Sequence, residues 1–297
     1  MRGAYFQVPD MPYEGAGLGP TQLNAPETRE AMDTPHEQFA MATQLQPVSR
    51  SSRVYDNYQN LLVKQTKRGC FQEWFGCEAV AEFEVLDATA GRGEAHANKT
   101  VMMAEETSSC FLRLVLGSYH PWTIAVRGQD PATGGILATN APAVKHDRPL
   151  RLPMMPCKCC CFQEVQHMEA TDGRPLGTTV EQCYVCVPRF HVKKSDGDVE
   201  YVLSQPTCCG GVAVDPCAEG VCTCRVPFYV YDPKSTVYER DNMLGKIVKV
   251  WSGLFKEAFT EADTFEVTFP PGAASASKAR LMGSLFLINQ LGYEGGN

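Results

Sequence analysis

The sequence predicts an all-β domain with few helices, built as a barrel or a sandwich. Short segments alternate apolar and polar residues along much of the chain, as Phe83 and Val85 do beside Glu82 and Glu84. This period of two is typical of half-buried strands. Turn residues separate the segments, and the clearest is an Asp-Gly pair within 190–203, which predicts a hairpin. Many short strands joined by regular turns favour a barrel or a sandwich.

The first 52 residues differ from the rest. They hold six of the twenty prolines and no periodic apolar pattern, so they cannot bury enough apolar surface to offset the entropy cost of ordering. We predict a disordered tail over 1–52 and one folded domain over 53–297. Pro9 and Pro12 satisfy the P-x-x-P pattern, so a partner of the SH3 or WW type is a candidate ligand of the tail.

Strand patterns follow one another through the folded domain. The first predicted strand is Leu61–Gln65, and a turn is predicted at 172–173. In the 190–203 hairpin, Val199, Tyr201 and Leu203 are expected on one face, because side chains alternate along a strand. Two further strands are marked by the apolar residues Trp122, Ile124 and Val126 and by Val226, Phe228 and Val230.

Two segments near the C-terminus are predicted to be helical. The first repeats apolar residues every three or four positions, at Trp251, Leu254, Phe255, Ala258 and Phe259. This spacing predicts an amphipathic helix. The second is the short apolar stretch from Leu281 to Ile288, bounded by Arg280 and Asn289.

The charge balance argues against nucleic acid as the main partner. Twenty-seven basic and thirty-four acidic side chains give a net charge of −7, and no block of Lys and Arg could follow a phosphate backbone. The N-terminal residues lack the apolar core of a secretory signal, and Arg2 excludes N-myristoylation, which requires Gly there. We expect a cytosolic protein, in which fourteen cysteines are poor evidence for disulfides.

No motif of a conventional enzyme is present. The sequence contains no G-x-S-x-G elbow, P-loop, dinucleotide fingerprint or H-E-x-x-H zinc helix. Its six histidines are isolated along the chain. We therefore do not expect the protein to be an enzyme.

Four segments carry a resemblance to a known family. They are 61–65, 157–165, 245–251 and 259–265, followed by the apolar C-terminal stretch. Together they span nearly all of residues 55–294, and in this order they resemble the phospholipid scramblase family. The resemblance implies the tubby-like fold of that family, a closed antiparallel barrel of about twelve strands around a central C-terminal helix. Ser109–Leu116 departs from the family, which is cysteine-rich there.

The stretch from Leu281 to Ile288 is too short to cross a membrane. A spanning helix needs about 20 apolar residues, and this stretch offers eight. In the implied fold we expect it inside the barrel, where Leu281, Leu285, Phe286 and Ile288 would meet inward-facing strand residues. Insertion of this helix into the membrane is the alternative.

The resemblance also implies a function. Members of the family are associated with ATP-independent, bidirectional movement of phospholipids between membrane leaflets, so membrane phospholipids are the implied partner. A buried helix leaves no lipid path through one protomer, so direct transport would require an oligomer or a large opening of the barrel. The alternative is a lipid-binding or regulatory adaptor that uses the same barrel and transports nothing.

Eleven of the fourteen cysteines lie between Cys157 and Cys224. In the family, the cluster that corresponds to Cys157, Cys159, Cys160 and Cys161 is S-palmitoylated. Two or more acyl chains anchor a protein stably, at about 0.8 kcal/mol per buried methylene. The resemblance therefore implies an acyl anchor at the cytosolic face of the plasma membrane or an endomembrane.

Zinc binding is the less expected alternative for the cysteines. The C-x2-C pair Cys183 and Cys186 has zinc-ligand spacing, and further thiolates are available at Cys208, Cys209, Cys222 and Cys224. However, adjacent cysteines in an extended chain point to opposite sides, so 159–161 cannot all bind one ion without a sharp turn. Packing as small apolar residues is a third interpretation.

The family's proposed calcium segment maps onto 261–272. Its first, third, fifth and seventh positions fall on Glu261, Asp263, Phe265 and Val267, and its last position falls on Gly272. Calcium takes about six to eight oxygen ligands, and only two carboxylates remain. We therefore expect a dissociation constant of about 10⁻³ M or higher. The alternative is that the two carboxylates only end a helix and solvate a loop.

The family also has a nuclear import signal near Lys246 and Lys249. Two lysines are more typical of a solvated strand face, so a nuclear pool of the protein has no support from these residues.

Overall fold

The computed structural model describes residues 52–68, 80–89, 99–129, 141–152, 162–184, 186–208, 213–215, 217–219, 225–250 and 263–292. All of them belong to one compact unit, Val48–Asn297. The predicted tail, apart from its last residue, and the predicted helix that begins at Trp251 lie outside the described residues, so both stay predictions.

Twelve strands form one closed antiparallel barrel, and this confirms the predicted fold class. A separate two-stranded sheet pairs β10 with β11. The strands are β1 (Asn60–Arg68), β2 (Val80–Asp87), β3 (Thr100–Thr107), β4 (Trp122–Gly128), β5 (Val144–Arg148), β6 (Glu164–Glu169), β7 (Pro175–Glu181), β8 (Arg189–Lys194), β9 (Val199–Ser204), β10 (Thr207–Cys208), β11 (Ala213–Val214), β12 (Arg225–Tyr231), β13 (Gly245–Val250) and β14 (Thr264–Thr268).

The first and last strands close the barrel. β14 pairs with β13 on one side and with β1 on the other, where Lys64 lies opposite Thr264. Apart from β10 and β11, each strand pairs with the next one along the chain, and β9 pairs with β12. Closure leaves no open sheet edge in the barrel, which removes a common site of aggregation.

The connections between barrel strands leave from two ends of the barrel. At one end the chain leaves β1, β3, β5, β7, β9 and β13 and returns in the next barrel strand. In the sequence, all fourteen cysteines belong to segments that join one strand to the next at this end, which we call the cysteine end. Nine of these cysteines lie outside the described residues. The connections at the opposite end contain no cysteine in the sequence.

Helix α2 (Ser275–Gly292) fills the barrel interior. Every residue from 277 to 290 is buried. Leu281, Leu285, Phe286 and Ile288 are at most 2% exposed and share one hydrophobic core with the inward-facing strand residues. The buried C-terminal helix of the predicted fold is thus confirmed. Among the helices that the structure describes, none has the length and apolar character required to cross a bilayer.

The buried polar residues of α2 are bonded to the barrel wall. Lys278 Nζ donates to three carbonyl oxygens of the 55–58 turn at 2.7 to 3.3 Å. Arg280 Nη1 donates to the carbonyl oxygen of Leu176 at 2.6 Å. Because buried polar groups are stable only when they are hydrogen-bonded, these partners allow α2 to start before Leu281. Burial extends beyond the apolar stretch, since Arg280 and Asn289, which bound that stretch in the sequence, are also buried within the helix.

A line of hydrogen bonds joins three strands, β5, β6 and β7, to α2. Ser284 Oγ donates to the carbonyl oxygen of Arg280 at 2.8 Å, so it accepts from Thr179 Oγ1, which lies 2.7 Å away. Thr179 therefore accepts from His167 Nε2 at 2.9 Å. The remaining ring nitrogen of His167 then accepts from His146 Nδ1 at 3.0 Å. This order fixes both tautomers and leaves the buried His146 Nε2 as a lone pair without a partner among the described residues.

The 190–203 hairpin is present as β8 and β9, but one predicted side-chain direction is wrong. Tyr201 and Leu203 pack with the main core, whereas Val199 packs against a second cluster on the other face. A register shift in the pairing of β8 with β9 leaves Glu200 as an extra residue, and such a bulge reverses the alternation. Glu200 consequently reaches the interior and bonds to Arg280.

A second helix, α1 (Cys110–Leu116), connects β3 to β4 at the cysteine end. It was not predicted, because an apolar run of this length also fits a strand. Three short 3-10 helices complete the described elements, at Ser52–Tyr55, Gly117–Tyr119 and Arg240–Asn242.

Candidate functional site

A cavity of about 510 Å³ lies on the outer wall of the barrel near the cysteine end. Its floor is a single row of side chains across four neighbouring strands, Thr107, Thr123, Asp147 and Gln166, each opposite the next in register. These positions alternate with inward-facing residues such as Ile124 and His146, so the row faces outward.

The rim of the cavity comes from the two connections that flank the row. Ser108, Ser109 and Leu112 line it from the β3–β4 connection, and Pro149 lines it from the β5–β6 connection. The end of β5 is tied to the β3–β4 connection, because Arg148 Nη1 donates to the carbonyl oxygen of Ser118 at 2.7 Å.

Asp147 provides the negative charge of the cavity. Its Oδ1 is buried and has no hydrogen-bond partner among the described residues. The cation in the lining, Arg148, is committed to the barrel interior, where its guanidinium donates to Gln290 at 2.5 Å and to Gln163 at 2.7 Å. The cavity therefore offers a carboxylate and several hydroxyls, a set that suits a small ligand with ammonium or hydroxyl hydrogens.

Glu106 holds the cavity rim from behind the row through Ser108 and His120. Burial favours a raised pKa for its carboxyl, but hydrogen bonds from His120 and Ser108 and the nearby charge of Arg113 outweigh burial and lower the pKa. His120 Nε2 lies 3.1 Å from Glu106 Oε1. Glu106 therefore remains ionised near neutral pH, and it accepts a hydrogen bond from the rim hydroxyl of Ser108.

The predicted acylation cluster, Cys157, Cys159, Cys160 and Cys161, lies outside the described residues. Of the cysteines that the structure describes, Cys183, Cys186 and Cys217 are free and exposed, and Cys208 is partly buried. Cys110 is disulfide-bonded, contrary to the expectation of reduced cysteines, and its partner lies outside the described residues. Within the described ranges, His, Cys, Asp and Glu side chains form no group of three or more that could hold a metal ion.

The predicted calcium residues occupy different environments. Glu261 lies outside the described residues, and the Asp263 carboxylate lies 2.7 Å from Lys249 Nζ. Phe265 and Val267 point into the hydrophobic core at 1% and 2% exposure. Any calcium at Asp263 must therefore compete with a lysine ammonium, and the calcium site stays a prediction.

The expectation of a solvated face for Lys246 and Lys249 is wrong. Both are buried, and each is ion-paired with a carboxylate: Lys246 Nζ lies 2.6 and 2.7 Å from the two oxygens of Glu219. Glu219 also accepts from the hydroxyl of Tyr229 at 2.8 Å. The connection that holds Glu219 covers this outer face of β12 and β13, which the strand pattern alone could not indicate.

Sequence reasoning missed the cavity row. Its four residues, Thr107, Thr123, Asp147 and Gln166, lie on four strands, and the sequence analysis predicted only one of these strands. In addition, an outward polar residue is typical of any solvated strand. The signal that unites them is the pairing register, which a single sequence does not supply.

A closed twelve-stranded barrel that encloses its own C-terminal helix and carries a polar cavity on its outer wall defines the structural class of this protein. The sequence model of the Scramblase family matches residues 57–295. The chain therefore belongs to the Scramblase family.

Individual relatives agree with this assignment. Human phospholipid scramblase 1 is 28% identical over 201 residues, which cover 65% of this chain and 53% of that protein. Mouse phospholipid scramblase 1 is 30% identical over 197 residues, with 65% and 51% covered. Human phospholipid scramblase family member 5 is 25% identical over 219 residues, with 74% and 68% covered. The chain spans about half the length of the first two. No solved structure gives a significant match.

Proposed function

We propose that this protein moves phospholipids between membrane leaflets without ATP hydrolysis, from an acyl-anchored position at the cytosolic face of the plasma membrane or an endomembrane. The observation that carries the proposal is the match of the Scramblase family over residues 57–295, in a chain similar to proteins named phospholipid scramblases. Lipid movement is not covalent chemistry, so the protein is proposed to be a transporter and not an enzyme.

The filled barrel restricts where a lipid can bind. Because residues 277 to 290 are buried throughout, α2 occupies the barrel interior, and we do not expect a lipid to bind there. We assign the headgroup to the outer cavity, whose volume of about 510 Å³ suits a small polar ligand. Asp147 would accept hydrogen bonds from the ammonium group of an aminophospholipid.

A vesicle assay tests the function and the cavity together. Purified protein is reconstituted with fluorescent phosphatidylethanolamine, and exposure of the inner-leaflet lipid is followed with and without calcium. We expect exchange by the parent protein and a rate roughly tenfold lower for Asp147→Asn, since a hydrogen bond to a charged group contributes about 1.5 kcal/mol or more. Asp198→Asn, at an exposed turn of the opposite end, is the matched control. Equal rates for the two variants would remove the cavity from the proposal.

Calcium stimulation is proposed to act through Glu261 and Asp263. Since Lys249 lies 2.7 Å from Asp263, the ion must displace that ammonium, and stimulation is expected only near about 10⁻³ M calcium. Asp263→Asn should remove the stimulation and leave the calcium-free rate unchanged. A response at micromolar calcium, or one that survives Asp263→Asn, would refute this site.

Acyl anchoring is tested by changing Cys157, Cys159, Cys160 and Cys161 together to Ser. We expect the variant to move from the membrane fraction to the soluble fraction, because two or more acyl chains supply stable anchoring. The double variant Cys183→Ser, Cys186→Ser, which changes exposed thiols at the same end, should stay with the membrane. An unchanged distribution of the fourfold variant would contradict the anchor.

A second candidate is a lipid-binding or regulatory adaptor, and the filled interior favours it, because one protomer has no path for a lipid. The P-x-x-P tail would recruit an SH3 or WW partner in this case. In the vesicle assay, binding without leaflet exchange at any calcium concentration would leave only the adaptor. Exchange that rises with the square of protein density would instead indicate an oligomer as the transporting unit.

A further inference from the structure

Helix α1 exposes an apolar face at the cysteine end. Phe111, Leu114 and Val115 are 69%, 68% and 59% exposed, and their spacing puts them on one side of the helix. The charged residue of α1, Arg113, is buried. The outward face of the helix therefore carries large apolar side chains and no charge.

The neighbouring connection adds two more apolar side chains. Leu150 and Leu152 are 50% and 41% exposed and follow directly after β5. Leu112 of α1 and Pro149 line the same cavity, so the two connections lie side by side. Five of the seven large hydrophobic residues exposed in the described part of the chain thus lie at the cysteine end; the other two, Val237 and Leu244, lie at the opposite end.

A lipid surface is the partner that this patch fits. A helix of seven residues is about 10 Å long, which is far too short to span a bilayer but suits the interface, where apolar side chains enter the acyl boundary. The chain also limits the distance to the predicted anchor. Leu152 precedes Cys157 by five residues, so their Cα atoms are at most about 18 Å apart.

We propose that α1 and the 150–152 segment insert Phe111, Leu114, Val115, Leu150 and Leu152 into the membrane interface. The cysteine end then faces the bilayer, and the outer cavity opens at the level of the lipid headgroups beside the inserted helix. This inference rests on the proposed function, because it takes a phospholipid membrane as the site of action. It adds an orientation and a contact surface that do not depend on whether lipids are exchanged.

Quenching by brominated lipids measures the insertion directly. The full chain is held on vesicles through an N-terminal His tag and nickel-chelating lipid, so that contact with the membrane does not depend on acylation. Phe111→Trp and Val237→Trp are compared, each after subtraction of the parent signal from the three native tryptophans. We expect quenching of the new tryptophan at 111 and none at 237. Absence of quenching at 111, or equal quenching at both positions, would overturn the inference.

A second pair of variants tests membrane insertion of the cysteine end independently of lipid exchange. Phe111→Ser, Leu114→Ser, Val115→Ser should lower binding of the untagged chain to phosphatidylcholine vesicles roughly tenfold, because three exposed apolar side chains are lost. Val237→Ser, Leu244→Ser should bind as the parent does. If the parent binds but exchanges no lipid and the triple variant loses binding, the inference stands and transport fails. If the triple variant binds like the parent, the inference fails, and concentration-dependent dimers in solution that the triple variant abolishes would identify a second copy as the partner instead.

Discussion

Two buried histidines make the stability of this protein depend on pH. Burial lowers the pKa of His146 to about 3. Burial, together with the charges of His146 and Arg280, holds the pKa of His167 well below its usual value. Both rings are neutral in the folded protein at physiological pH, and their hydrogen bonds to each other and to Thr179 require that state.

We predict that the free energy of unfolding falls as the pH drops below about 6.5, the pKa of His in an unfolded chain. There the unfolded state binds protons that the folded state cannot bind, so stability falls with decreasing pH. With two such rings the slope approaches about 2.7 kcal/mol per pH unit at pH 4 to 5. Urea unfolding at pH 7, 6, 5 and 4 measures it.

The variant His146→Gln, His167→Gln tests whether these rings are responsible. It should be less stable at pH 7, because the hydrogen-bond line is altered, but its free energy of unfolding should fall less steeply between pH 6 and 4. An identical slope for the parent and the variant would assign the pH dependence to other groups.

At the residue scale, the sequence identified inward-facing apolar residues, but it did not indicate which charged residues are buried. Phe83, Val85, Ile124 and Val126 are buried as their alternation predicts. Lys246 was expected in solvent, yet its ammonium is buried against Glu219. The two lie 27 positions apart along the chain, and a periodic pattern carries no information about a partner so distant.

At the scale of elements, α2 approaches the barrel wall closely at Gly283. A Cβ atom at this position would lie 2.4 Å from ring atoms of His167 and 2.6 Å from Nδ1 of His146. Such distances are far shorter than van der Waals contact. Glycine here permits the helix to rest directly on the histidine pair.

We predict that Gly283→Ala lowers the free energy of unfolding by about 1 to 3 kcal/mol, the usual cost of overpacking a core. The sign of this change in the free energy of unfolding is informative, because Ala is otherwise the better helix former by about 1 kcal/mol and would be expected to stabilise α2. Thermal and urea unfolding measure the change. Combining Gly283→Ala with His167→Ala should restore room for the added methyl group. The double variant should therefore lose less free energy of unfolding than the sum of the losses in the two single variants. If the two losses of stability were fully additive, the contact between position 283 and His167 would not be the cause of the destabilisation.

The elements that the sequence missed share a physical cause. The apolar segment Cys110–Leu116 fits a strand or a helix equally well in pattern, and its outward Phe111, Leu114 and Val115 have no intramolecular burial to decide between them. The bulge at Glu200 is invisible to a strict period of two. Helix α2 was found from its apolar centre, but the sequence did not indicate that its polar ends are buried, because their partners lie elsewhere in the fold.

At the scale of the whole molecule, the pairing of strands in the closed barrel brings together the residues of the outer cavity. The row from Thr107 to Gln166 exists because four strands pair in one register. A slip of one residue in any pair would send one member to the interior. The barrel itself was predictable from ordered family-like segments, whereas the cavity depends on registers that only the folded chain fixes.

A filled barrel can act on lipids in two ways: at its outer wall with α2 in place, or after α2 leaves. A cross-link between α2 and the wall distinguishes them. The hydroxyl oxygens of Thr179 and Ser284 lie 2.7 Å apart, so Thr179→Cys, Ser284→Cys places two thiols close enough to form a disulfide. We predict that the oxidised variant exchanges lipid as fast as its reduced form, because the proposed headgroup cavity lies outside the barrel.

Ser284→Cys alone, carried through the same oxidation and reduction, controls for effects on the native cysteines, and mass spectrometry of the proteolysed protein verifies the cross-link. Binding of the oxidised variant to vesicles is measured alongside, so that loss of membrane contact is not mistaken for loss of exchange. If oxidation stops exchange while binding persists, and reduction restores it only in the double variant, then α2 must leave the barrel for lipids to move. The transport path would in that case run through the emptied interior, lined by residues such as Phe83 and His146, and the outer cavity would have a binding role alone.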